Sequence, residues 1–141
     1  MNLSELYVMS FWGLLVIIFT CLIQWFVASG TKASQEKAIP GKIDPGLSHS
    51  SFVFRAYRTF MNSLENVPLM LGTAFLAILI GTNPYWTAMY IWIFAVARII
   101  HMALYYAIAT EVNPSPRSYF FMMGLIANVA LLGLCGLSLA S

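Results

Sequence analysis

Charged side chains are scarce in this chain of 141 residues, since Asp, Glu, Lys and Arg together make up 9% of it. An average soluble domain carries roughly 25% of such residues. Hydrophobic residues make up 60% of the chain, and a soluble fold has no core large enough to hide that much apolar surface. The small net charge of +2 and the lack of a dense run of Lys or Arg exclude a nucleic-acid-binding protein. The composition therefore indicates an integral membrane protein that lies in a lipid bilayer.

Cysteine is also rare, and the two cysteines, Cys21 and Cys135, both lie in apolar stretches. A thiol in such a stretch usually packs as a small hydrophobic group. His101 has no second histidine or thiolate on its predicted helix face, and His49 falls in a polar loop. Because a metal ion needs several such ligands together, we expect no metal site.

Four apolar segments are long enough to cross a bilayer, because a spanning helix needs about 20 residues. The first is preceded by Glu5 and by no Lys or Arg, and it is longer than the apolar core of a signal peptide, so we expect it to stay in the mature protein. The connections predict an up-and-down antiparallel four-helix bundle that forms a single membrane domain over residues 1–141. The predicted spans cover residues 6–28, 52–80, 85–109 and 118–139, with a long polar loop over residues 29–50.

Lysine and arginine are distributed unevenly among the loops. All three lysines fall in the long loop, and Arg117 falls in the third loop, whereas the second loop and both termini have neither residue. Lys and Arg accumulate on the cytoplasmic side of membrane proteins. We therefore predict that the long loop and the third loop are cytoplasmic and that both termini lie on the opposite side.

The second span carries a strongly polar face. Spacings of three, four, three and one residues place five side chains on one side of a helix, namely Arg55, Arg58, Asn62, Glu65 and Asn66. At a rise of about 1.5 Å per residue, Glu65 lies roughly 15 to 20 Å beyond the helix start, too deep to reach water. A carboxylate at that depth costs about 2.5 to 3.5 kcal/mol, so we expect it to face the protein interior and to have a partner. Two arginines and two amides exceed what one ion pair between helices requires, and this surplus favours a polar binding site.

The third span supplies a second polar face, because Arg98, His101 and Tyr105 follow spacings of three and four residues. Arg98 lies near the middle of the span, so we expect it to point into the bundle as the counter-ion of Glu65. A lone histidine such as His101 is usually a hydrogen-bonded core residue. Its position between Arg98 and Tyr105 leaves a role in ligand binding equally open.

Arg117 stands at the start of the fourth span, after Pro114 and Pro116. It either anchors the helix end at the membrane surface or holds an anion such as a carboxylate or a thiolate. Several arginines together with a carboxylate and amides suit a zwitterionic ligand with more than one carboxylate and a free amine. Lipid-facing helices would at the same time admit an apolar co-substrate. A small peptide thiol fits this description.

Three motifs resemble the MAPEG family, the membrane-associated proteins of eicosanoid and glutathione metabolism. They are RAYRTFMNSLENVP in the second span, RIIHMALYY in the third span and PRS at the start of the fourth span. The first span resembles the family by hydropathy alone. The resemblance is closer to the microsomal glutathione transferases than to the prostaglandin-synthase branch, which has an arginine where this chain has Met61.

The resemblance implies a homotrimer of four-helix subunits, with glutathione bound as a co-substrate between neighbouring subunits. It assigns to Arg117 the catalytic role of stabilising the glutathione thiolate. The thiolate would attack a lipophilic electrophile or a lipid hydroperoxide that arrives from the bilayer. The residues that the resemblance assigns to glutathione binding are Arg55, Arg58, Asn62, Glu65, Arg98, His101, Tyr105 and Ser118.

Two other functions stay open at this point. The family fold also hosts a non-enzymatic member, so a non-catalytic lipid- or thiol-binding protein is one alternative, although Arg117 favours an enzyme. A small multidrug transporter also has four short spans and a glutamate in the membrane, but arginines beside Glu65 would repel a cationic drug. The resemblance thus implies a membrane-bound glutathione transferase or peroxidase that conjugates or reduces lipophilic electrophiles with glutathione.

Overall fold

The computed structural model describes residues 2–141, and over that range the chain forms helices and loops without strands. Four of the helices are long and apolar enough to span a membrane, which confirms the predicted all-helical class with four spans. In chain order the elements are α1 (Leu3–Leu6), α2 (Val8–Ala33), α3 (Phe52–Leu79), α4 (Pro84–Ala107) and α5 (Pro116–Ala140).

The helix ends follow from local capping chemistry. Asn83 caps α4, because its side-chain oxygen accepts hydrogen bonds from the backbone N–H groups of Tyr85 and Trp86 and Pro84 occupies the first helical position. At the start of α5, Ser115 and Ser118 form a capping box around Pro116 and Arg117. These caps fix where the third and fourth spans begin.

The first span is longer than the sequence predicted. Helix α2 continues past residue 28 to Ala33, so the polar connection is confined to residues 34–51. Thr31 is accommodated within this extension, because its hydroxyl donates a hydrogen bond to the carbonyl of Val27 at 2.9 Å. A threonine that bonds back to the preceding turn in this way is compatible with a helix interior.

Hydrogen bonds at the two ends of the molecule establish the antiparallel order. At one end the Tyr7 hydroxyl, just before α2, donates to the carbonyl of Thr82, just after α3. At the other end His49, which precedes α3, contacts Glu111, which follows α4. Consecutive spans therefore run in opposite directions. The pairing also places the connections 34–51 and 108–115 at one end of the bundle, and the end that faces the cytoplasm stays a prediction.

The core is made where small residues allow the helices to approach. Gly13 of α2 sits so close to α4 that a Cβ atom on it would lie 2.7 Å from Cγ2 of Ile91. Large apolar side chains such as Phe19, Phe26 and Leu79 point outward instead, as a lipid environment favours. The main buried hydrophobic residues are Leu14, Ile17, Val67, Met70, Ala74, Ala77, Ile91, Phe94, Ala127 and Leu131.

Candidate functional site

The polar face of α3 borders the packed interface of the bundle. The buried positions of this helix include Ala56, Thr59, Ser63, Val67 and Met70. The polar positions mostly come one residue earlier, which rotates them by about 100° around the helix. They therefore lie along the edge of the interface, where some side chains turn toward α4 and others turn away from the chain.

Arg98 of α4 is buried against this face and is only 2% exposed. Its Nη1 donates to Oδ1 of Asn62 at 2.7 Å, and its Nη2 donates to Oγ of Ser63 at 2.8 Å. Both acceptors are neutral, so hydrogen bonds rather than a carboxylate accommodate the guanidinium charge. The predicted ion pair between Arg98 and Glu65 is therefore wrong.

Glu65 is exposed on the outside of the chain. Among residues 2–141 its carboxylate takes part in no ion pair. The one ion pair in this range joins His49 and Glu111. The expectation that Glu65 faces the interior of its own chain is wrong, because it lies two positions after Ser63 and is rotated by about 200° from the contact with α4. Arg58, on the same edge, is partly exposed and likewise has no ion-pair partner in the described residues.

Arg55 clamps the chain rather than facing a cavity. Its Nη1 donates to the carbonyls of His49 at 2.7 Å and Ser50 at 3.0 Å, and its Nη2 donates to the carbonyl of Tyr106 at 3.3 Å. These bonds tie the segment before α3 to the end of α4. The guanidinium is thus occupied by backbone oxygens within one chain.

A pocket of about 510 Å³ opens beside the start of α5. The guanidinium carbon of Arg117 lies 4.0 Å from the centroid of the Tyr105 ring, and the His101 ring meets the Tyr105 ring edge-on at 5.6 Å between centroids. Five predicted site residues line the pocket: Asn62, His101, Tyr105, Arg117 and Ser118. Sequence reasoning missed the other four, which are Asn113, Pro114, Phe121 and Met122.

A profile of the MAPEG family matches residues 9–137, a range that contains every predicted site residue. The chain belongs to the MAPEG family. This membership indicates a membrane protein with a function related to glutathione or eicosanoid metabolism, in a family that includes glutathione transferases and related enzymes. No curated protein matches the chain.

The charges around the pocket of this MAPEG protein favour an anion. Arg117 is the charged residue of its lining, and none of the lining residues is acidic. Among residues 2–141 no group of three or more His, Cys, Asp or Glu side chains lies close enough to hold a metal ion. Phe121 and Met122 add an apolar wall, so the pocket can take an anionic group on one side and an apolar group on the other.

Two loop residues that the sequence did not assign to the site, His49 and Glu111, approach the pocket from outside. His49 Nδ1 lies 2.8 Å from Oε2 of Glu111, and His49 Nε2 lies 3.0 Å from the Tyr105 hydroxyl. The side-chain hydrogen bond with His49, followed by the bond from its backbone N–H, holds the pKa of the Glu111 carboxyl below its ordinary value. His49 and Glu111 are 62 residues apart, and only the antiparallel topology, which puts both loops at one end, indicated that they could meet.

Proposed function

We propose that this MAPEG protein is a membrane-bound glutathione transferase of the microsomal type, which conjugates glutathione to lipophilic electrophiles and reduces lipid hydroperoxides. The observation that carries the proposal is the pocket in which Arg117 lies over Tyr105 beside Asn62 and Ser118, with no acidic residue in its lining. A guanidinium at the edge of such a pocket suits a carboxylate or a thiolate.

The proposed chemistry needs only a stabilised thiolate and good alignment. A free thiol of this kind has a pKa of about 8.5. A neighbouring positive charge lowers this pKa and so favours the thiolate, which is the nucleophile. Arg117 is the residue that we assign to this role. The thiolate then attacks an electrophilic carbon and displaces its leaving group, without a covalent intermediate on the protein. With a hydroperoxide it attacks the terminal oxygen, the O–O bond breaks to give an alcohol and glutathione sulfenic acid, and a second glutathione converts the sulfenic acid to the disulfide and water. Holding both reactants in place supplies much of the remaining acceleration.

We assign different roles to the other predicted residues. Asn62, His101, Tyr105 and Ser118 line the pocket and would contact glutathione directly. Arg98 would act through Asn62, because it holds the side-chain oxygen of that amide at 2.7 Å.

We also propose that the protein is a homotrimer and that glutathione binds between neighbouring subunits. The support is the outward position of Glu65 and the partly exposed position of Arg58 on a helix long and apolar enough to span a membrane. A carboxylate facing hydrocarbon costs several kcal/mol, so a second copy that covers this edge would remove a large penalty. Such a copy would also bring Arg58 and Glu65 to a ligand held by Arg117 of the first. We place the end of the bundle that carries the connections 34–51 and 108–115 on the cytoplasmic side, as the lysines of the long loop predict.

Conjugation of glutathione to an aryl halide by the purified full-length protein in detergent tests this function. We expect turnover by the wild type and a loss on the order of a hundredfold in kcat/KM for Arg117→Ala, because a charge that stabilises the reacting thiolate is removed. Lys42→Ala, at an exposed position of the long loop, is the matched control for loss of a positive charge. Absence of turnover in the wild type, or equal turnover in Arg117→Ala and the control, would contradict the proposal.

A further inference from the structure

His49 is held in place far more completely than a loop residue needs to be. Its backbone N–H donates to Oε1 of Glu111 at 3.0 Å, and its carbonyl accepts from Arg55 at 2.7 Å. Both ring nitrogens also have partners, since Nδ1 lies 2.8 Å from Oε2 of Glu111 and Nε2 lies 3.0 Å from the Tyr105 hydroxyl. The backbone bonds alone would fix the loop, so the two ring contacts call for a separate explanation.

The direction of these ring contacts follows from the chemistry of the groups. An ionised carboxylate only accepts hydrogen bonds, so Nδ1 of His49 carries the hydrogen that Glu111 accepts. In the neutral imidazole Nε2 is then the acceptor, and the Tyr105 hydroxyl donates to it. This arrangement points the lone pairs of the tyrosine oxygen away from His49. Tyr105 itself lines the pocket that holds Arg117.

The three groups lead from the pocket to solvent. Tyr105 is buried, the His49 side chain is 20% exposed and the Glu111 side chain is 66% exposed. We propose that Glu111, His49 and Tyr105 form a proton relay that removes the thiol proton of the bound peptide thiol and delivers it to water. This inference rests on the proposed function, and it adds two residues outside the family motifs to the site.

The relay moves one proton at each step. The S–H bond of the thiol breaks and its proton passes to the Tyr105 oxygen, while the original hydroxyl proton of Tyr105 passes to Nε2 of His49. The products are a thiolate beside Arg117 and an imidazolium whose charge Glu111 balances. The imidazolium then gives its proton to water. The other ionisable groups around the relay are Arg55 at the His49 carbonyl and His101 and Arg117 against the Tyr105 ring. Of these, Arg117 lines the pocket and favours the thiolate product.

Stopped-flow measurement of thiolate absorbance after mixing the full-length protein with glutathione tests the relay. His49→Gln keeps a hydrogen-bonding side chain but cannot take a proton. Tyr105→Phe removes the hydroxyl. We expect each variant to form the thiolate at least roughly a hundredfold more slowly than the wild type, as loss of a general base does. Added imidazole should restore part of the rate in His49→Ala.

Affinity for S-methylglutathione, which has no thiol proton, separates a relay from a purely structural contact. We expect wild-type affinity in His49→Gln and in Glu111→Gln, whose amide oxygen can still accept the hydrogen from Nδ1. Glu36→Gln, at an exposed position of the long loop, is the matched control and should leave the rate of thiolate formation unchanged. Should His49→Gln fail to fold, Glu111→Gln carries the same comparison, because it removes the negative charge that balances the imidazolium and should also slow thiolate formation.

Each result of these measurements either supports or overturns the relay. Slow thiolate formation with unchanged S-methylglutathione affinity supports the relay. Wild-type rates in these variants, or a loss of S-methylglutathione affinity in proportion to the loss of rate, overturn the relay and leave the transferase function standing. If the wild-type protein forms no thiolate at all, the proposed function fails, and the relay fails with it.

Discussion

Within residues 2–141, Arg98 illustrates how a buried charge is accommodated in this bundle without a direct ion pair. Its depth in the third span predicts that it points into the protein, and it does, but its partners are the amide of Asn62 and the hydroxyl of Ser63. The sequence indicated Glu65 because a carboxylate is the usual partner of an arginine within a membrane. Ser63 faces α4, and Glu65 is rotated by about 200° from it around the helix axis, so Glu65 does not reach Arg98. Helical periodicity alone does not indicate which side of the polar face of α3 meets the neighbouring helix.

Arg58 and Arg55 both lie on the polar face of α3, but the structure gives them different surroundings and therefore different expected roles. Arg58 has no ion-pair partner within residues 2–141, so we expect Arg58→Ala to leave the melting temperature nearly unchanged. Loss of one charge-assisted bond to glutathione, worth about 1.5 to 3 kcal/mol, should raise the KM for glutathione roughly tenfold to a hundredfold. Steady-state kinetics with varied glutathione measure this effect. An unchanged KM would remove Arg58 from the site.

Arg55→Ala tests the structural role of Arg55 and is compared with Arg58→Ala. This substitution leaves the carbonyls of His49, Ser50 and Tyr106 without their donor. We expect it to lower the melting temperature, with a cost of about 1 to 3 kcal/mol for unpaired polar groups. Thermal melts of both variants in the same detergent make the comparison. Equal melting temperatures for the two variants would contradict the structural role of Arg55.

At the scale of helices and loops, the sequence predicted the four spans because long apolar runs bounded by Gly and Pro leave few alternatives. It predicted the starts of α3 and α4 to within one residue, but it ended α2 at residue 28, before the polar stretch from Ser29 to Ala33 that remains helical. The contact between His49 and Glu111 could not be predicted in the same way. It depends on how two loops lie against each other, and loop conformation leaves no periodic pattern in a sequence.

The contact between α2 and α4 depends on Gly13. A methyl group at this position would lie 2.7 Å from Cγ2 of Ile91. This atom is bonded directly to Cβ, so it can move little unless the backbone of α4 moves too. We therefore expect Gly13→Ala to destabilise the protein by about 1 to 3 kcal/mol, as overpacking does. Gly30→Ala is the control, because nothing lies within 4 Å of a Cβ atom there. Equal melting temperatures in the two variants would show that the helices can separate without cost.

The link between the two loops should depend on pH. Hydrogen bonds from His49 lower the pKa of Glu111 in the folded state, so its contribution to stability is fully present above the ordinary carboxyl pKa of about 4.3 and is lost as pH falls through the lower folded value. We expect the difference in melting temperature between wild type and Glu111→Gln to be small and constant near neutral pH and to vanish in acid. Glu36→Gln should show no such trend. A difference that grows on acidification would contradict the link.

At the scale of the whole molecule, a single chain leaves the Glu65 carboxylate of a membrane-spanning helix exposed on its surface. Its polar edge on α3 ends with an exposed carboxylate, while the pocket that suits an anion opens elsewhere on the same chain. The sequence predicted both polar sets, and the structure brings five of the predicted residues to one pocket. It does not bring Arg58 and Glu65 there, because Glu65 is exposed on the outside of the chain and Arg58 is partly exposed on the same edge of α3. Whether a neighbouring copy receives them is a question of assembly.

The mass of the intact complex, measured with and without glutathione, answers that question. We expect three chains per particle in mild detergent and added mass from bound glutathione. Glu65→Gln should weaken glutathione binding or lower the melting temperature of the complex, because it removes the carboxylate that would act as counter-ion to buried arginines. Glu36→Gln serves as the control for loss of an exposed carboxylate. A monomeric wild type with normal glutathione binding, and a Glu65→Gln variant indistinguishable from it, would rule out the trimeric site.

The placement of polar groups on α3 also has a consequence for biogenesis. This helix carries Arg55, Arg58, Glu65 and Pro68, and it is the least hydropathic of the four spans, so we expect it to pass from the translocon into lipid less readily than the other three. Only four residues separate it from α4, whose guanidinium at Arg98 joins Asn62 and Ser63. A nascent chain should therefore keep α3 at the translocon until α4 emerges, and the two should enter lipid together as a hairpin. A polypeptide truncated after α3 would then become a substrate of membrane quality control.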